Sequence, residues 1–204
     1  MIKTALFALG VLTATAGMTF AEAEIGKNAP SFSLPNTNGK TVNLDQFKGK
    51  FIVLEWYNPD CPFVGKHYQS GNMQKLQKEY SAKGIVWLTI DSSAPGQEGN
   101  YPAEKLNDFA QKLGVGWNAL LMDPDGKVGR LYGAKTTPDM FIIDPSGKIV
   151  YKGAIDNKRS TDLADIKTAT NYVRVALDEV IAGKKVTTTS TQSYGCSVKY
   201  SSGS

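Results

Sequence analysis

The chain has two cysteines, Cys61 and Cys196, and the first stands where a thiol becomes reactive. A β-branched and aromatic run, Phe51-Ile52-Val53-Leu54-Glu55-Trp56-Tyr57, reads as a strand. Asn58-Pro59-Asp60 stops it, and Pro62, a residue favoured at the first turn of a helix, directly follows Cys61. The thiol is therefore expected at a strand-to-helix corner, where unpaired backbone N–H groups and the positive end of the helix dipole favour thiolate over thiol. That is the setting of a nucleophilic or redox-active cysteine. Cys196 lies in Tyr194-Gly195-Cys196-Ser197-Val198-Lys199-Tyr200, beyond a threonine-rich stretch. Counting alone leaves open whether the two thiols form a structural disulfide, a catalytic one or none.

The elements that must position Cys61 follow from hydrophobic patterning. The strand before it is apolar on both faces except at Glu55, which suits a central strand. The helix after it carries Val64, Tyr68, Met73, Leu76 and Tyr80, with a break expected at Ser70-Gly71-Asn72. Ile85-Val86-Trp87-Leu88-Thr89-Ile90 is a second buried strand, so strand, helix and strand form a βαβ unit with a parallel pair. Pro102 opens a helix with Leu106, Phe109, Ala110 and Leu113 inward, ended by Gly114. Leu120-Leu121-Met122 and the segment from Met140 to Ile143 are strands, each followed by a turn, Asp123-Pro124-Asp125-Gly126 and Asp144-Pro145-Ser146-Gly147, read as hairpin turns. Asp123 and Asp125 lack the spaced partners of an EF-hand loop, so no calcium site is expected. A long helix is expected over 162–182, with Ile166, Ala169, Val173, Ala176, Leu177 and Val180 on one face.

The 204 residues, 41% hydrophobic and 21% charged, suit one globular domain. Met1-Ile2-Lys3, an apolar run from Ala5 to Met18, and small residues at Ala21 and Ala23 read as a secretory signal peptide, cleaved after Ala21 or Ala23. The run is short and rich in Ala, Thr and Gly, so a retained anchor is disfavoured. The expected divisions are 1–23 signal peptide, 24–183 folded domain and 184–204 flexible tail, in a protein that is secreted or periplasmic. The net charge of +4 is scattered rather than clustered with aromatics, which argues against nucleic acid.

Together, Gly26, Pro30, Phe32, Leu34, Gly39, Leu44 and Lys48-Gly49-Lys50 at the entry, the corner at Cys61, and Thr137-Pro138 before Phe141-Ile142-Ile143-Asp144 resemble the thioredoxin superfamily. Within it they resemble the redoxin or peroxiredoxin-like group, which includes the alkyl hydroperoxide reductase and thiol-specific antioxidant proteins. The resemblance covers residues 25–182 and implies an α/β, thioredoxin-like fold: a central mixed sheet flanked by helices, with an N-terminal hairpin extension. It implies a cis Pro138 beside the active cysteine, with the preceding backbone receiving substrate, and no cofactor or metal. Thr137, Pro138, Asn58 and Phe63 become candidate substrate contacts. Glu55, six residues before Cys61, matches the buried acid of thioredoxins and is a candidate proton relay; the plain alternative is a solvated edge or a lysine pair.

Two departures bear on the reaction. Val64 stands where C-x-x-C proteins have their second thiol, so no disulfide forms within that helix turn. Leu54 and Asn58 replace the proline and hydroxyl residue of the peroxiredoxin pattern, and no arginine lies near Phe141; Arg130, Arg159 and Arg174 are the chain's three. The resemblance thus implies a thiol oxidoreductase in which Cys61 attacks a disulfide or peroxide and Cys196 resolves the product as a Cys61–Cys196 bond, restored by a reductant of unknown identity. A non-catalytic alternative is a structural Cys61–Cys196 staple, worth about 4–5 kcal/mol in the chain-entropy model. Copper delivery would need Cys61, Cys196 and His67. His67, six positions along the helix, points about 240° away from Cys61, which argues against both a copper site and a base at His67.

Overall fold

In a computed structural model describing residues 23–202, the chain enters through a hairpin of β1 (Ser33–Pro35) and β2 (Thr41–Asn43). A 3-10 turn, Leu44–Phe47, leads to β3 (Ile52–Trp56). Then come α1 (Pro62–Gln69), α2 (Asn72–Ser81), β4 (Val86–Asp91), α3 (Ala103–Leu113), β5 (Ala119–Met122) and α4 (Lys127–Tyr132). The last part comprises β6 (Thr136–Thr137), β7 (Asp139–Ile143), β8 (Ile149–Gly153), a 3-10 turn Leu163–Lys167, α5 (Tyr172–Ile181) and β9 (Cys196–Ser197). The signal peptide expected over 1–23 lies outside the described residues except for Ala23.

The five-stranded sheet runs β5-β4-β3-β7-β8, with β3, β4 and β5 parallel and β7 and β8 antiparallel. This is the thioredoxin-like architecture that the resemblance implied. All five residues of β3 are buried, and the strand lies at the sheet centre as its two-sided apolar pattern requires. Its alternation divides the core. Val53 joins Tyr57, Cys61, Val64, Tyr68, Leu76 and Leu177 under α1, α2 and α5, whereas Leu54 and Trp56 face Leu34, Leu88, Phe141 and Tyr132. The Trp56 ring is held edge-on by Phe141 at 5.2 Å and its Nε1 donates to Ser92 Oγ at 3.1 Å, so the indole is both packed and satisfied.

The break expected at Ser70-Gly71-Asn72 is present: Gly71 takes φ +73°, the left-handed conformation that ends α1 and starts α2. Two sequence expectations require correction. The helix over 162–182 is a 3-10 turn followed by α5, because two polar residues each cap a separate start. Asp162 accepts from the Ala164 amide at 2.8 Å, and Asn171 from the Arg174 amide at 2.9 Å. The Asp123-Pro124-Asp125-Gly126 turn does not close a hairpin. Buried Asp123 accepts from the Val128 and Gly129 amides at 3.2 and 2.8 Å and so starts α4, an element the sequence reading left out.

The threonine-rich tail, expected to be loose, lies along the edge of β8. Lys152 donates its amide to the Thr189 carbonyl at 3.0 Å and accepts from the Thr191 amide at 3.1 Å. Thr191 Oγ1 also accepts from the Ala154 amide at 2.9 Å. Threonines are suited to this task because their backbone pairs with a strand while the hydroxyl satisfies a neighbouring group.

Candidate active site

Cys61 is the residue from which α1 starts. Its backbone is extended (φ −73°, ψ 121°) and Pro62 occupies the first turn, the corner geometry expected from the sequence. The residue is 1% exposed, and its Sγ donates to the Thr137 carbonyl at 3.0 Å. The Thr137-Pro138 bond is cis. Thr137 is also the residue facing Cys196, because β6 and β9 pair antiparallel with Thr136 opposite Ser197 and Thr137 opposite Cys196. Directly opposed residues have Cα atoms about 4.5–5.5 Å apart. Both thiols thus converge on one main-chain residue. Burial, then the neighbouring Cys61 side chain, pushes the Cys196 thiol up to about 12.

Contacts on both sides hold Cys196 in place. Tyr194 inserts its hydroxyl into a buried nest, donating to Asp156 Oδ1 at 2.5 Å and lying 3.4 Å from His67 Nε2, while its ring meets Phe63 edge-on at 5.9 Å. Gly195 crosses Thr137 so closely that a Cβ would strike the carbonyl, and its φ of +134° suits glycine alone. Beyond Cys196, the Val198 amide donates to the Lys135 carbonyl at 3.0 Å, Lys199 pairs with Glu98 at 3.2 Å, and Tyr200 donates to the Ala134 carbonyl at 2.8 Å.

Glu55 is neither at a solvated edge nor paired to a lysine. It is fully buried on the Cys61 side of the sheet and accepts from Tyr68 at 2.7 Å, Trp87 Nε1 at 2.7 Å, Gln77 at 3.2 Å and Thr89 at 3.3 Å. Burial raises its pKa to about 7, against the partial opposition of those four donors. Asn58 is buried too, but its amide is engaged by the chain itself. It accepts from the Asp60 amide at 2.8 Å and donates to the Glu98 carbonyl at 3.0 Å, fastening the loop of residues 92–100 beside the corner. Thr137 Oγ1 is buried without a hydrogen-bond partner.

His67 is buried in α1, with Nδ1 2.9 Å from Asn72 and Nε2 facing Tyr194 and Asp156. Burial lowers its pKa to about 4, so it is neutral near pH 7. The nest of Lys66, His67, Asp156 and Tyr194 has no motif in the sequence. Its only local signal was a lysine and a histidine on the buried side of a helix; Asp156 and Tyr194 arrive from distant segments.

Comparison with known proteins fits this geometry. The model of the AhpC/TSA family matches residues 25–152. The chain belongs to the AhpC/TSA family. The thiol-disulfide oxidoreductase ResA of Bacillus thuringiensis subsp. konkukian is 27% identical over 127 residues, covering 62% of this chain and 68% of that protein. Among solved structures, an uncharacterized conserved protein from Geobacillus kaustophilus superposes with a TM-score of 0.79 at 29% identity, covering 90% of this chain and 96% of that one. A hypothetical protein from Sinorhizobium meliloti 1021 gives 0.75 at 28% identity, covering 89% and 97%. The family member described here is an oxidoreductase of the redoxin type.

Proposed function

We propose that this protein is an exported thiol-disulfide oxidoreductase in which Cys61 is the nucleophile and Cys196 the resolving thiol. The observation that carries this reading is the convergence of both side chains on Thr137: the Cys61 thiol bonds its carbonyl, and Cys196 is its strand partner. In the first step the Cys61 thiolate attacks one sulfur of a substrate disulfide. A Cys61–substrate bond forms, the substrate S–S bond breaks, and one substrate thiol leaves. In the second, Cys196, having lost its proton, attacks the Cys61 sulfur, expels the remaining substrate thiolate and forms Cys61–Cys196. An external dithiol then reduces that bond and becomes a disulfide itself.

The electrostatics supply the order of the steps. Burial is the largest cause that raises the Cys196 pKa, and two of the other three are interactions with the Cys61 side chain. Both vanish once Cys61 is in a mixed disulfide, so Cys196 becomes easier to deprotonate when its reaction is due. A purely structural staple is less well supported, because Tyr194, Val198, Lys199 and Tyr200 already fasten the tail.

A disulfide substrate is favoured over a peroxide. The asparagine at the peroxiredoxin hydroxyl position has its amide engaged by the loop. The arginines serve elsewhere: Arg174 pairs with Glu79 at 2.9 Å, Arg159 reaches Gln192 at 3.3 Å, and Arg130 donates to the Ser201 carbonyl at 3.1 Å. Thr137, Pro138 and Phe63 border Cys61 and are assigned to the substrate disulfide, and Glu55 to proton relay beneath the corner. The N-terminal charged and apolar segments support export; among the described residues no helix is long and apolar enough to cross a membrane. The test compares loss of the Cys61 thiol to glutathione disulfide and to hydrogen peroxide at equal concentration. Faster loss to the disulfide supports the assignment; peroxide outpacing it, and outpacing its reaction with a free thiol, contradicts it.

A further inference from the structure

We infer that Tyr194 is a positioning residue: its hydroxyl, seated in the nest of Lys66, His67 and Asp156, latches the tail so that Cys196 covers Cys61. The inference rests on the proposed pairing of the two cysteines and adds what holds them in register.

Tyr194 precedes Cys196 by two residues, with Gly195 between them. Its hydroxyl donates to Asp156 Oδ1 at 2.5 Å, a charge-assisted bond inside the protein. Asp156 is 1% exposed, and its other oxygen, without a hydrogen-bond partner, lies 3.8 Å from Lys66 Nζ and 3.9 Å from His67 Nε2. Lys66, equally buried, also donates to the Lys158 carbonyl at 2.7 Å, so the nest is fixed to the segment before α5 as well as to α1. Removing the tyrosine hydroxyl takes one of Asp156's bonds from a site that water does not reach, which makes the docked tail less stable relative to a raised one.

The site's geometry gives the latch two opposed effects. Cys61 is 1% exposed beneath the docked tail, so a reagent reaches it when the tail rises. Resolution requires Cys196 to be docked again opposite Thr137. A weaker latch therefore speeds the first step and slows the second. A general loss of stability has no reason to act on the two steps in opposite directions.

The test uses the full-length reduced protein and the aromatic disulfide 5,5′-dithiobis(2-nitrobenzoate) in stopped flow. Attack by Cys61 leaves a Cys61 mixed disulfide and releases one coloured thiolate. Attack by Cys196 on that bond releases the second thiolate and one proton and forms Cys61–Cys196. Cys196→Ser identifies the first phase by abolishing the second. With Tyr194→Phe the first phase is expected to accelerate and the second to slow, each about tenfold, the equilibrium factor of one charge-assisted hydrogen bond. Asp156→Asn takes the charge from the acceptor of the same hydrogen bond and is expected to shift both phases in the same directions, by less than Tyr194→Phe. Unchanged phases, or phases that move together, overturn the latch. Release of only one equivalent by the wild type overturns the cysteine pairing itself, and the latch with it.

Discussion

Glu55→Gln tests the reading of the buried acid. The side chain is fully buried with four neutral donors around it, and burial raises its pKa from 4.5 to about 7. Between those values the folded protein keeps a proton that the unfolded chain gives up, so rising pH favours the unfolded state. The associated stability is present below pH 4.5 and lost as pH rises to about 7. At about 1.4 kcal/mol per pH unit, that interval amounts to about 3 kcal/mol, with no solvent exposure to screen it. Asp91 and Asp139, both raised to about 6 by burial, act in the same sense, and His67, held near 4, acts in the opposite one. Subtracting the variant's stability from the wild type's at each pH removes those shared contributions. Urea unfolding of both proteins, reduced, from pH 4 to pH 8 should give a difference that falls by about 3 kcal/mol and flattens above pH 7. A difference independent of pH would refute the assignment of a raised pKa to Glu55.

Three further outcomes follow from the site. Cys61→Ala removes two of the causes that raise the Cys196 thiol, so its titration, followed by thiolate absorbance, should move down from about 12; an unchanged value would show that the side chains do not interact. Gly195→Ala forces a Cβ toward the Thr137 carbonyl at φ +134°, so hydrogen exchange in residues 194–200 should quicken roughly tenfold while β3 and β4 keep their protection; uniform protection would contradict the close crossing. Asn58→Ala frees the loop of residues 92–100 from the corner and should cost about 1–3 kcal/mol in urea unfolding. A neutral substitution there would mean that the amide contacts carry no net stabilisation.

The corner at Cys61 was legible because it is local. A two-sided apolar strand, a stop at Asn58-Pro59-Asp60 and a proline after the cysteine act within a dozen residues, and the structure places them as they read. The break at Gly71 was legible for the same reason. The start of α4 was not, because its first amides bond Asp123, a residue whose turn sequence also suits a hairpin. The long helix over 162–182 carried a convincing apolar stripe, but Asn171 caps a new start within it. The tail was hardest to read. Its composition is polar, and what holds it is long-range: strand β8, the loop near Glu98, and a nest whose acid stands 38 positions before Tyr194. Sequence reasoning could find Cys196 but not the contacts that fix it opposite Thr137.

The pairing of Cys61 with Cys196 is tested most directly by equilibrating the protein in glutathione redox buffers, quenching with an alkylating agent and weighing the products. The two thiols should disappear together in one reversible two-electron transition, leaving a single intramolecular Cys61–Cys196 bond in the peptide map and no long-lived glutathione adduct on either cysteine. Independent alkylation of the two residues, or separate glutathione adducts that never convert to that bond, would contradict the mechanism.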